Sequence, residues 1–207
     1  AGTHPFSRWD EQKITESERY LLASDAYGIV SRSLLIFGMH VHIGFGTSRP
    51  ALALMMDVYN QMRYGLPHLL ALSTSSPFWQ GRDTGRKSYR SVIWENAPRT
   101  GIPPTFQSFS EYEEFVEFMG GVNAIDLDKL TGKPDDTMLW WDARPRSDLG
   151  TLEIRIADMC TTIDEAICIA ALIQTLAAYF IKLREQNQSW RIYRTKMIEE
   201  NKWRALR

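Results

Sequence analysis

The sequence predicts an α+β fold: a mainly antiparallel sheet with helices packed on one face and an open polar face that carries a site. Two observations predict it. Residues 34–45 and 138–158 alternate apolar and polar side chains with the period of a strand. Between and after them, apolar residues recur at helical spacing behind serine or threonine caps. Strands with polar residues on one face, backed by helices, make a two-layer sandwich.

The chain opens on Gly2-Thr-His-Pro5, a turn in which Pro5 pushes His4 toward extended geometry. Thr15-Glu-Ser-Glu18 has the spacing of a capping box, and Tyr20, Leu21, Ala23, Ala26, Tyr27 and Val30 continue an apolar helical face. Leu34 to Phe45 then reads as a strand. Met39, Val41 and Ile43 lie on one face, His40 and His42 on the other. The chain has four histidines, and two of them share this face.

Ser48 caps the next helix, with Pro50 in its first turn. Leu52, Met55, Met56, Tyr59 and Met62 form its core stripe. Gly65 and Pro67 are expected to end it, leaving 66–72 as a short buried helix in which His68 is structural. Ser73 to Arg90 reads as a long polar loop with Arg82, Arg86, Lys87 and Arg90; such a loop is either a solvated surface or a place for carboxylates and phosphates. Pro98 to Pro104 is irregular. Ser110-Glu-Tyr-Glu113 predicts a second capped helix, stopped by Gly120-Gly121, and 130–136 reads as a turn.

Trp140, Asp142 and Arg144 share one parity in the strand that follows, and the Pro-Arg-Ser-Asp-Leu-Gly break at 145–150 suits a hairpin. In the last strand Leu152, Ile154 and Ile156 face a core, while Glu153 and Arg155 share the opposite face. Two arginines and two carboxylates on one sheet face have an ordinary explanation, cross-strand ion pairs in solvent. If the histidine strand lies beside Glu153, the same face becomes a place to hold a divalent ion and a phosphate. Thr162-Ile-Asp-Glu165 opens a helix that is apolar nearly all round, expected to be buried against the sheet with Cys168 in its buried part. A charged helix from about Tyr193 to Arg207 is expected to pack on whatever follows it.

The 207 residues, 44% hydrophobic and 24% charged, suffice for one domain with a sizeable core. A net charge of -1 without a basic stripe points away from nucleic acid and from an anionic membrane. No apolar run is expected to reach the roughly 18 residues of a membrane span, and no signal peptide is visible. Cys160 and Cys168 fit no disulfide framework, which favours a reducing, cytoplasmic compartment. No GxGxxG, P-loop or defensible Ser-His-Asp spacing is present. Ala1 and the basic helical end at Arg207 both read as cut ends of a longer protein.

Seven motifs in order then resemble the type 2 glutamate–cysteine ligases, also called carboxylate–amine ligases. They are Gly2-Thr-His-Pro5, Gly38-Met-His-Val-His-Ile-Gly44, Leu69-Leu-Ala-Leu-Ser73, Ser76-Pro-Phe-Trp79, Gly81-Arg-Asp-Thr-Gly85, Trp140-Trp-Asp-Ala-Arg-Pro145 and Gly150-Thr-Leu-Glu-Ile-Arg-Ile-Ala-Asp158. The resemblance implies a glutamine synthetase-like catalytic fold over the whole chain. It implies ATP and Mg2+ (or Mn2+) as cofactors, and glutamate and an amine, usually that of cysteine, as substrates. A homo-oligomer is also a family expectation. The γ-carboxylate of glutamate would attack the γ-phosphate of ATP, and the amine would capture the acyl phosphate. By the same resemblance His40 and Glu153 are metal ligands, and His42 and Arg155 neighbour the ATP phosphates. Arg144 and Arg155 stabilise phosphoryl charge, and Arg90 and Thr84 bind substrate. The chain departs from the family in lacking its N-terminal segment, whose early strand carries a Glu-x-Glu pair of further metal ligands, and its C-terminal tail. The amine acceptor has no signature here, and a truncated module that only binds or assembles is the reading outside enzymes.

Overall fold

A computed structural model describes the chain except residues 17–20, 22, 23, 26 and 189–192. In chain order the described elements are α1 (Ile29–Arg32), β1 (Val41–Gly44), α2 (Arg49–Ser73), β2 (Phe78–Trp79), β3 (Arg82–Asp83), α3 (Tyr89–Trp94), α4 (Phe109–Gly121), β4 (Ala143–Arg146), β5 (Thr151–Ile154), α5 (Ile163–Glu185) and α6 (Thr195–Ala205). This is a mixed α+β arrangement with two small antiparallel sheets, ordered β1-β5-β4 and β2-β3. Much of the first expected helix, including Glu18 of its capping box and Tyr20, Ala23 and Ala26 of its apolar face, lies outside the described residues.

The core forms where β5 meets α2. Leu152, Ile154 and Ile156 are buried, as their alternation requires, against a cluster that includes Met55, Met56, Tyr59 and Met62. Ser48 caps α2 by accepting from the Ala51 amide. The helix does not end at Gly65 and Pro67 but runs on to Ser73. Proline removes one backbone donor there. Leu66, Leu69 and Leu70, all fully buried, continue the stripe past that defect. Beneath the stripe, Arg63 is buried too, bonding Pro103 O and Thr195 Oγ1.

Other expectations need correction. The cap of α4 is Ser108, two residues before the expected one: Ser108 Oγ accepts from the Glu111 amide, while the Glu111 carboxylate reaches back to the Gln107 amide rather than closing a capping box. The 73–90 stretch is structured, holding the β2–β3 hairpin and the start of α3. Pro145 is a strand residue; it sits in β4, an edge strand, where a missing N–H is tolerated. Helix α6 packs against α2 and buries Ile198, Lys202 and Leu206.

Helix α5 departs most. Its capping box at Thr162 and Glu165 forms. Yet only Ile169, Ile173 and Ala177 are buried, where α5 crosses α2 and β1. Ile163, Ile167 and Tyr179 are 78%, 61% and 54% exposed, and Cys168 is exposed. Contrary to the sequence expectation, the helix is long and apolar enough, by length and composition, to cross a membrane. The small three-stranded sheet offers too little surface to cover it.

Candidate active site

Glu153 stands at the centre of the sheet. In the antiparallel register it faces His42 of β1 on one side and Arg144 of β4 on the other. Directly paired residues project on the same face, so three side chains form one row across three strands. A second feature brings in two more. From Gly38 to Val41 the first strand takes three steps, while its partner takes four from Ile154 to Asp158. The extra residue is a bulge beside the row, and such bulges re-aim side chains. Arg155 turns back onto Glu153 there, and His40 joins them.

The contacts are short. Glu153 Oε2 accepts from Arg144 Nε at 3.0 Å and lies 2.8 Å from Arg144 Nη2. Glu153 Oε1 accepts from Arg155 Nη1 at 2.7 Å and lies 3.1 Å from His40 Nδ1 and 3.6 Å from His42 Nε2. The histidines are 40% and 36% exposed, whereas Glu153 is 3% exposed. The carboxylate is therefore fixed from behind by guanidiniums and reached from solvent past imidazoles. The polar face is not open as expected: Arg144 and Glu153 are buried, and Arg144 Nη1 donates to the carbonyls of Thr137 and Leu139.

Burial would push the Glu153 carboxyl up. The His40 contact and the Arg155 and Arg144 charges outweigh it and hold the carboxyl well below the usual carboxylate range. Burial pushes the His42 imidazole down, against the pull of Glu153. Burial, with the Arg144 charge beside it, brings the Arg155 guanidinium down to about 10, still charged at neutral pH. Apart from the imidazoles, one carboxylate faces two guanidiniums. The surplus positive charge suits an anionic group such as a phosphoryl oxygen or a carboxylate.

A divalent ion fits these residues only in part. An imidazole nitrogen and a carboxylate oxygen lie side by side at His40 and Glu153, and both are acceptable donors. Among the described residues, however, no group of three or more His, Cys, Asp or Glu side chains is arranged to hold a metal. Mg2+ takes about six oxygen ligands. Two donors fall well short of that number.

The other expected site residues fall elsewhere. Asp142 leaves the row: its carboxylate receives Lys202 Nζ of α6 at 2.7 Å, in a buried pair that also takes Glu95 at 2.9 Å. Arg90 is a buried residue of α3, not a loop residue. Its guanidinium donates to the carbonyls of Ile156 and Arg155 at 3.1 and 3.2 Å and packs on Gly38, where a Cβ would lie 2.4 Å from it. The Thr84 hydroxyl donates to Pro77 O and accepts from the Arg86 amide, bracing the β2–β3 hairpin. Lys202 went unnoticed in a charged helix. Its four-residue spacing from Ile198 and Leu206, both buried, was the available signal.

The profile of glutamate-cysteine ligase family 2 (GCS2) matches residues 1–207. Proteins with the provisional name glutamate–cysteine ligase 2 are similar throughout: that of Herpetosiphon aurantiacus is 50% identical over 207 residues, all of this chain and 51% of the relative. That of Chloroflexus aurantiacus is 49% identical, covering 50% of its length, and that of Rhodospirillum rubrum 48% identical, also covering 50%. The chain spans about half the length of these curated relatives. A match over every residue, with the motif strands meeting at Glu153, makes the chain a member of glutamate–cysteine ligase family 2.

Proposed function

We propose that the chain is the catalytic middle and later part of an ATP-dependent carboxylate–amine ligase with a glutamine synthetase-like fold. It joins the γ-carboxylate of glutamate to an amine, most simply that of cysteine, in the cytoplasm. The observation that carries the reading is the Glu153 row: a carboxylate clamped by Arg144 and Arg155 with His40 and His42 at its solvent side.

In this reading Arg155 meets the charge that develops on the transferring phosphoryl group and on the acyl phosphate. Arg144 acts from behind, holding Glu153 in place and adding its positive field. His42, with its pKa pushed down, is a neutral neighbour for nucleotide phosphates. His40 and Glu153 would hold Mg2+ or Mn2+, which supplies charge neutralisation at the phosphoryl oxygens when bound. Arg90 and Thr84 contribute by holding the sheet edge and the hairpin, through the Arg90 bonds to the Ile156 and Arg155 carbonyls and the Thr84 bond to Pro77 O.

Magnesium-dependent ADP release from ATP, stimulated by glutamate with an amine, tests the proposal in the full-length protein. Release that no amino-acid pair stimulates overturns it. A second reading is a module that binds without turnover. Glutamate and ATP binding with no ADP release would support that one instead.

A further inference from the structure

Little on the Arg155 side chain fixes where it points. Nη1 donates to Glu153 Oε1 at 2.7 Å and lies 3.5 Å from His40 Nδ1. The buried Nε has no hydrogen-bond partner among the described residues. The aim of the guanidinium is therefore set by the main chain, which at this point is the bulge between Ile154 and Asp158. A bulge takes main-chain groups out of the ladder, and buried ones need another partner.

Arg90 is that partner. Its Nη2 donates to Arg155 O at 3.2 Å and its Nη1 to Ile156 O at 3.1 Å. A guanidinium carries such donors at fixed spacing in one plane, whereas an ammonium is a single point and cannot match that fork. The fork is itself held. Arg90 is buried, its amide donates to Ser76 Oγ at 3.1 Å, and Nη1 lies 3.8 Å from Asp158 Oδ1. Gly38 forms the wall beside it: a Cβ there would lie 2.9 Å from Arg90 Cζ and closer still to Nη2. On the far side the Arg155 amide donates to Asp142 O at 2.8 Å. Residue 155 is thus pinned at its N–H by main chain and at its C=O by the Arg90 side chain.

Resting on the ligase reading, we infer that Arg90 is a positioning residue for the phosphoryl-transfer step. Through the Arg155 and Ile156 carbonyls it aims the Arg155 guanidinium, and Gly38 is the residue that admits it. Two variants reach this contact from opposite sides. Gly38→Ala keeps every charge and pushes the Arg90 guanidinium off the carbonyls. Arg90→Lys keeps the charge and removes the fork.

Steady-state ADP release by the full-length protein, with glutamate and cysteine, reads the effect. In each variant kcat is expected to fall about 100-fold, the cost of misplacing a group by about 1 Å. The KM for ATP and for glutamate is expected to stay within about threefold of wild type. The double variant is expected to be no slower than the slower single one, because both act through one contact. A merely structural contact would lower the urea midpoint and leave kcat alone. Crystal structures of the two variants need no turnover: Arg155 Nη1 is expected to move from Glu153 Oε1 by more than about 1 Å. An Arg155 that stays at 2.7 Å, or a kcat within about threefold of wild type, overturns the inference. Unchanged kcat in variants of an active protein would sink this inference and spare the ligase. A displaced Arg155 in a protein whose ADP release no amino-acid pair stimulates would keep the link from Arg90 to Arg155 and sink the ligase.

Discussion

Glu153 and Asp158 lie five residues apart on one stretch of chain, both buried, both beside arginine, and they are used differently. Asp158 is sealed. It accepts from the Ser75 amide at 3.0 Å, from Ser76 Oγ at 2.6 Å and from Ser88 Oγ at 2.8 Å, with Arg90 Nη1 3.8 Å away. Gly2 closes over it so tightly that a Cβ would lie 2.6 Å from its Cγ. Glu153 has instead two guanidiniums behind it and two half-exposed imidazoles in front. A carboxylate satisfied by hydroxyls and amides stitches segments together. One satisfied by charged groups with a path to solvent keeps a field available for chemistry.

The sharpest way to break this contrast is Glu153→Gln. The amide keeps an acceptor for Arg144 but removes the charge that organises Arg155 and His40. ADP release is expected to fall at least ~1000-fold, about 4 kcal/mol of transition-state stabilisation, while far-UV circular dichroism stays unchanged. An unaltered rate would show that Glu153 is only structural. Asp158→Ala is expected to act the other way round. It leaves Ser76, Ser88 and the Ser75 amide without their acceptor and Arg90 without its counter-charge. A loss of about 3–5 kcal/mol in urea unfolding is expected; a loss below about 1 kcal/mol would erase the distinction.

The smallest effect sharpens the contrast through pH. Glu153 titrates lower in the folded state than in the unfolded chain, where a glutamate titrates near 4.3. Its contribution to stability is therefore complete above that value and is lost as pH falls through the folded one. The stability gap between the wild-type chain and Glu153→Gln, followed by urea midpoint, should close as pH falls below about 4. A gap that widens on acidification would contradict the sign of the shift.

How much of this was legible in the sequence depends on range. The alternation Leu152, Glu153, Ile154 is a local property, and it correctly sent the aliphatics inward and the carboxylate to the opposite face, between His42 and Arg144. So did the His-x-His spacing, which placed both imidazoles near one oxygen. What failed depended on distant partners. Pro67 looked like a stop because the leucines that carry α2 past it act through tertiary burial. Arg90 looked like a loop residue because its position in a polar run hid its helix and its two carbonyl acceptors, 65 and 66 residues away. Asp142 had the right parity for the row, yet a lysine 60 residues on claimed it. Helix α5 was expected to be covered because apolar sequence cannot report how much surface a small sheet has to offer.

That lysine has a consequence for how the molecule is assembled. Lys202 neutralises Asp142, whose carbonyl in turn accepts from the Arg155 amide at 2.8 Å. Lys202 also takes Glu95 at 2.9 Å, so one ammonium of α6 meets two acids, one of them a single backbone hydrogen bond from Arg155. Helix α6 is thus tied to the centre of the sheet through one ammonium and one main-chain bond.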